Sequence, residues 1–137
     1  MPKYKVLVEG CEPTIARTQD AGVDCRAAED YLIDPLGSEV VDLGLAIQLD
    51  EGTFAMLTHR SSMAFGKELT ASLGIIDANY TGPIKAKFFN HSPSYAVRIE
   101  KGDKVAQLVI QKFERGELEE VEELADGKQG FGSSGVK

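Results

Sequence analysis

Short apolar or alternating runs recur along this chain, and turn-forming residues cut them apart. Pro83 to Asn90 (PIKAKFFN) sets Ile84, Ala86 and Phe88 against Lys85, Lys87 and Phe89, which predicts a strand with one solvated face. Lys5 to Val8, Thr53 to Thr58 and Tyr95 to Ile99 read as shorter strands, and Lys104 to Phe113 (KVAQLVIQKF) as a long buried one. Val40 to Leu49 (VVDLGLAIQL) is apolar throughout, with Gly44 inside it. Gly costs a helix interior about 1 kcal/mol, and the β-branched residues favour extended backbone, so a strand with a bulge is expected. In Gly74 to Gly82, Ile75 and Ile76 run straight into Asp77, a buried strand delivering a carboxylate to the mouth of a turn. Breaks fall at Glu12-Pro13, Asp50-Glu51-Gly52 and Glu100 to Asp103. Such a succession predicts an all-β sandwich or barrel. Only Glu117 to Leu124 departs from it. Its apolar residues, Leu118, Val121 and Leu124, recur at every third position, which suits a helix loosely and an acidic edge strand or arm equally well.

Composition narrows the partners. The 137 residues fit one domain with a real core, and 42% hydrophobic content is ordinary for a globular chain. A formal net charge of −7 argues against a nucleic-acid surface, which needs clustered Lys and Arg. A small phosphorylated ligand needs only a few local donors and is not excluded. Cys11 and Cys25 form no CxxC and fit free thiols in a reducing compartment. Met1-Pro2-Lys3-Tyr4-Lys5 leads into no long apolar segment, so a soluble cytoplasmic protein without membrane contact is expected. A β domain over residues 1–125 should carry a tail, 126–137, whose four glycines and two serines cannot offset their ordering entropy by burial.

Three stretches carry candidate chemistry. Asp77 and, three residues on, Tyr80 would place a carboxylate beside an aromatic ring, as a general base beside a flat ligand requires. The plain alternative is a turn whose Asp caps its own backbone. Arg60-Ser61-Ser62 follows a strand, and a guanidinium with two hydroxyls suits a phosphate; a Ser-rich turn with a surface Arg is the bland reading. Gly130 to Gly135 (GFGSSG) could close its amides around an anion while Phe131 stacks on a base. Asp24 and Gln107 taken singly read as structural, as do His59 and His91, which lack partners at metal-ligand spacing.

Taken together and in order, these segments resemble the trimeric deoxyuridine triphosphatases (dUTPases). Ala21 to Asp24 is similar to the family's first motif, Arg60 to Ser62 to its second, Gly74 to Gly82 to its third, Gly102 to Gln107 to its fourth, and Gly130 to Gly135 to its fifth. The resemblance implies a jelly-roll-like β domain, a homotrimer with shared active sites, and Mg²⁺-dependent hydrolysis of dUTP to dUMP and pyrophosphate. Such an activity keeps uracil out of DNA and supplies dUMP for dTMP synthesis. By the same resemblance Asp77 activates the attacking water, Tyr80 packs on the deoxyribose, and backbone from Ala71 through Gly74, Ile75 and Ile76 to Asp77 reads uracil. Arg60, Ser61, Ser62 and Gln107 hold phosphates, and Lys85 joins the substrate contacts. Mg²⁺ sits mainly on the triphosphate, with Asp24 holding its waters. Phe131 and Gly132 close on the base, and Ser133 and Ser134 meet the γ-phosphate.

Two positions depart from the family pattern. Ala71 stands where Asn is usual, and the tail has Lys128 as its nearest cation where an Arg-Gly pair is usual, so Lys128 is assigned to the γ-phosphate. The related dCTP deaminases resemble this chain too, but their catalytic Glu position is Lys87 here. A non-catalytic nucleotide-binding trimer is the remaining alternative.

Overall fold

The computed structural model describes residues 1–127. Eleven strands and one short helix follow one another: β1 (Lys3–Val6), β2 (Val23–Arg26), β3 (Tyr31–Ile33), β4 (Ser38–Asp42), β5 (Leu45–Gln48), β6 (Thr53–His59), α1 (Ser61–Lys67), β7 (Leu69–Ala71), β8 (Gly74–Asp77), β9 (Lys85–Asn90), β10 (Val97–Ile99) and β11 (Lys104–Lys112). Every strand pairing is antiparallel. The strands make a four-stranded sheet in the order β2-β11-β6-β8, a three-stranded one in the order β4-β9-β7, and the pairs β1-β5 and β10-β3. This is the all-β arrangement that the short strand-like runs predict, in the jelly-roll-like form that the family resemblance implies. Among the described residues no helix is long and apolar enough to cross a membrane.

The core forms from the inward side of each alternating run. Val41, Leu43, Leu45, Leu57, Leu69, Phe88, Ile99 and Val105 are all buried and belong to one cluster. β9 shows the rule most plainly: Ala86 and Phe88 are buried while Lys85 and Lys87 face solvent. Burying such side chains contributes about 1.5–3 kcal/mol each, and a one-residue slip in register would turn the whole set outward. Asn90, at the end of β9, is the polar exception. It is 3% exposed. Its Nδ2 donates to the carbonyls of Ile33, Asp34 and Tyr95, and its Oδ1 accepts from the Ser92 amide. A side chain with its amide so fully used ties β9, β3 and the 92–95 loop together.

Several elements differ from the sequence expectation. Val40 to Leu49 is not one bulged strand but two, β4 and β5, broken at Gly44. Gly44 has φ +65, and a Cβ there would lie 2.6 Å from the Cys11 Sγ. Its carbonyl accepts from Leu7 and Val8, so the chain must turn to meet the end of β1. β1 itself covers Lys3–Val6 rather than Lys5 to Val8. The 74–77 strand is a sheet edge, with Ile76 buried and Ile75 exposed, rather than fully buried. β11 is buried only in its first half; its last three residues are exposed. Among the described residues the helix lies at Ser61–Lys67, whereas Glu117 to Leu124 has no helix or strand and is exposed. Seven residues containing Gly66 are too few to form a helix alone. This one is held between β6 and β7, ending on Glu68 in the left-handed conformation. β2, β3 and β7 are three or four residues long, too short to show an alternation.

Cys11 and Cys25 are free and buried. Burial, with the Asp24 charge next in size, pushes the Cys25 thiol from its ordinary 9.0 up to about 12. An unfolded chain ionises this thiol from about pH 9, so the folded state binds the extra proton above that value. Stability from this group is therefore full below pH 9 and falls as pH rises towards 12. Alkaline denaturation followed by circular dichroism should show that loss, reduced in Cys25→Ala, and a thiol reagent at pH 8 should label Cys25 only after unfolding. Rapid labelling of the native protein would contradict the buried placement.

Candidate functional site

The sequence-predicted site residues gather at two places, at opposite ends of β6. At one end, register sets Asp24 of β2 beside Gln107 of β11, and Gln107 beside Thr58 of β6. Arg60 leaves β6 immediately afterwards. Its Nε donates to Asp24 Oδ1 at 3.1 Å and its Nη1 to the Lys104 carbonyl at 3.3 Å. Lys104 Nζ stands 3.9 Å from Asp24 Oδ2. A carboxylate only 13% exposed needs such partners, because an unpaired buried charge is costly. Gln107 Nε2 donates to the His59 carbonyl at 3.1 Å. Gly22 packs flat against that amide: a Cβ on it would fall 2.2 Å from Gln107 Oε1. Arg17, Asp20, Gly22, Asp24, Arg60, Ser61 and Gln107 line a cavity of about 290 Å³. Ser62 is exposed beside it on the first turn of α1, where backbone N–H groups lack intrahelical acceptors. The cavity therefore offers guanidinium, amide and hydroxyl donors, as an anion requires.

At the other end, β8 carries the chain from Gly74, opposite Leu57, to Asp77, opposite Phe54. The Tyr80 amide donates to the Asp77 carbonyl and closes the turn. The Tyr80 hydroxyl donates to the Pro83 carbonyl at 2.6 Å. The ring lies directly over Gly82, where a Cβ would come 2.8 Å from the hydroxyl oxygen. Gly74, Ile75, Ile76, Tyr80, Pro83, Ile84 and Lys85, with Leu57, line a slot of about 420 Å³. Its walls are an apolar edge strand and an aromatic ring, suited to a flat, partly polar ligand. Asp77 is exposed at the end of that strand. Ala71 does not line the slot. Its N–H is held by His59 Nδ1 at 3.1 Å, which fixes the hairpin to the strand that bears Arg60.

Asp77 stands opposite Phe54, and Arg60 lies six residues further along that strand. At about 3.3 Å per residue the two are roughly 20 Å apart. The two places are thus half-sites: Asp77 and Arg60 of one chain cannot meet on one phosphate group, although Gly74, at the near end of the slot, stands opposite Leu57, three residues before Arg60.

Sequence reasoning missed Arg17 and Asp20, which line the first cavity, the Lys104 amine beside Asp24, and the anchoring role of His59. The only sequence signal for them was nearness to Asp24, Arg60 and Gln107. Lys128, Phe131, Gly132, Ser133 and Ser134 lie outside the described residues. Among the described residues no group of three His, Cys, Asp or Glu side chains comes together. The first cavity has two carboxylates, each already facing a cation: Asp24 faces Arg60 and Lys104, and Asp20 faces Arg17. This set fits a divalent ion brought in by an anionic ligand rather than a resident one.

Fold and cavities together define the class: an all-β, jelly-roll-like domain with an anion-receptive cavity at one end of a strand and a half-apolar slot at the other. The dUTPase family model matches residues 9–135, and the chain belongs to that family. It is 44% identical over 128 residues to the deoxyuridine 5'-triphosphate nucleotidohydrolase of Corynebacterium glutamicum, covering 90% of this chain and 86% of that protein. It is 36% identical over 129 residues to the enzyme of the same name from Yarrowia lipolytica, covering 90% and 82%. Among solved structures it is similar to the Staphylococcus bacteriophage 80alpha dUTPase with dUPNHPP, with a TM-score of 0.89 and 29% identity over 99% of both chains. It also matches the dUTPase of phage phi11 of S. aureus, described with a coordinated structural Mg(II) ion, at a TM-score of 0.85 and 27% identity, covering 92% of this chain and 99% of that one.

Gly22→Ala should force the Gln107 amide away from the His59 carbonyl and cost about 1–3 kcal/mol. Thermal denaturation measures the cost, and the side-chain amide resonance of Gln107 reports the displacement. An unshifted resonance would contradict the packing described.

Proposed function

We propose that this protein hydrolyses dUTP to dUMP and pyrophosphate, as a homotrimer whose active sites each combine the two half-sites from different copies. The observation that carries the reading is the placement of Asp77 and Arg60 at opposite ends of β6. Membership of the dUTPase family, and the names of the relatives, supply the substrate.

In this reading uracil enters the slot beside Gly74, Ile75 and Ile76. The exposed edge of β8 offers backbone donors and acceptors, and a base recognised by main chain leaves no space for a thymine methyl. The amine of cytosine would face another donor. The Tyr80 ring, pinned by Pro83 and lying over Gly82, packs against the sugar and excludes a 2′-hydroxyl. Lys85, on the slot wall, adds a cation near the substrate. Ala71 contributes through the hairpin it anchors. From another copy, Arg60, Ser61, Ser62 and Gln107 hold the phosphate chain. When the triphosphate arrives, Arg60 exchanges part of its bond to Asp24 for phosphate oxygens. Asp24 would then be able to hold water of a Mg²⁺ ion bound with the triphosphate. That ion, when bound, supplies charge neutralisation on the phosphates.

Asp77 accepts the proton of the water that attacks the α-phosphorus, and pyrophosphate leaves. Little covalent work falls to the protein, so alignment and charge are sufficient. Residues 126–137 act as a flap: Phe131 stacks on uracil, Gly132 lets the backbone approach, and Lys128, Ser133 and Ser134 meet the γ-phosphate.

Pyrophosphate release tests this. With Mg²⁺, the protein should cleave dUTP and leave dCTP, dTTP and UTP nearly untouched, and removal of divalent cations should stop it. Asp77→Asn should lower kcat by at least about 100-fold, in line with loss of a general base, with KM little changed. Equal cleavage of all four nucleotides, or full activity in Asp77→Asn, would overturn the reading.

A further inference from the structure

The cavity at the Arg60 end contains a second guanidinium, that of Arg17, which none of the family motifs quoted above includes. Its place is built rather than accidental. The backbones of Thr14 and Asp24 pair through two hydrogen bonds, Thr14 N–H to the Asp24 carbonyl at 3.1 Å and Asp24 N–H to the Thr14 carbonyl at 2.7 Å. Residues 15–23 therefore form a loop closed at its base on the same Asp24 that holds Arg60. Within it the Asp20 amide donates to the Arg17 carbonyl at 3.0 Å, making a turn that starts at Arg17. Gly22, against Gln107, fixes the return limb. The loop thus carries Arg17 to the wall of the cavity that Arg60, Ser61 and Gln107 also line.

The charges there come in exchangeable pairs. Arg60 is tied to a 13%-exposed Asp24 at 3.1 Å. Arg17, with its side chain 84% exposed, is held by Asp20 only at 3.5 Å. An exposed pair of this kind contributes little stability, so Arg17 can leave Asp20 at little cost when a more highly charged acceptor enters. A phosphate offers bidentate geometry that the 3.5 Å contact lacks. Arg60 sits deeper, on the sheet, and Arg17 at the solvent rim, so an extended phosphate chain would meet them in that order.

We infer that Arg17 is a further substrate-positioning residue, supplying a second guanidinium to the distal phosphates of the triphosphate and to the pyrophosphate product. This rests on the phosphate-binding reading of the cavity. It also explains how a cavity that contains Asp20 and Asp24 accepts an anion: each carboxylate comes with its own guanidinium.

The test pairs kinetics with product binding. Arg17→Ala should raise KM for dUTP about tenfold, the loss expected for one hydrogen bond to a charged group, with kcat within about twofold. By calorimetry with Mg²⁺, inorganic pyrophosphate should bind Arg17→Ala about tenfold more weakly than the unsubstituted protein, while dUMP binding stays the same. Arg17→Lys should fall between the two, because Lys keeps the charge and loses the fork. An unchanged melting temperature would show that the loop still folds. Equal pyrophosphate affinity in Arg17→Ala and the unsubstituted protein would overturn the assignment of Arg17. Failure of the unsubstituted protein to cleave dUTP would overturn the functional reading instead, and the pyrophosphate comparison would still judge Arg17.

Discussion

The antiparallel pairing of β6 with both β11 and β8 is the constraint on which the rest depends. Through β11 it draws Gln107 and Asp24 to the end where Arg60 emerges. Through β8 it carries Asp77 and the Tyr80 turn to the other end. A sheet is stiff along its strands and fixes register wherever one face is buried. Ala55, Leu57, Ile76, Ala106 and Leu108 bury that face here. The separation of Asp77 from Arg60 is thus set by strand length.

Each half-site is then finished by small residues that allow close approach. Gly22 lets Gln107 lie across the anion cavity, and Gly82 lets the Tyr80 ring lie flat beside Pro83. His59 joins the two regions at the backbone level. Its carbonyl holds Gln107, and its ring nitrogen holds Ala71 at the foot of the hairpin that leads into β8. Ion pairing completes the cavity at Gln107, because Arg60 and Arg17 each rest on a carboxylate.

Much of this was legible in the sequence. Alternation in β9 and the turn-bounded apolar run in β6 predicted strands that are present. The five ordered segments pointed to a family to which the chain belongs. What was not legible depended on contacts between distant residues. The break at Gly44 follows from its approach to Cys11, and the short helix at Ser61 from being suspended between two strands. Arg17 looked like one polar residue in a loop, because its meaning comes from a bridge between Thr14 and Asp24 that closes that loop on the site. The exposed stretch Glu117 to Leu124 suited a helix loosely and an edge strand or arm equally well, and it adopts neither helix nor strand.

Complementation between inactive chains tests the central claim most directly. Asp77→Asn and Arg60→Ala would each be purified, then unfolded together and refolded as a mixture, and assayed for dUTP cleavage. If every site joins Asp77 of one copy to Arg60 of another, an equal mixture should regain about a quarter of the activity of the unsubstituted protein, since about one site in four receives both intact residues. Mixed oligomers that stay as inactive as either variant alone would contradict a site shared between copies.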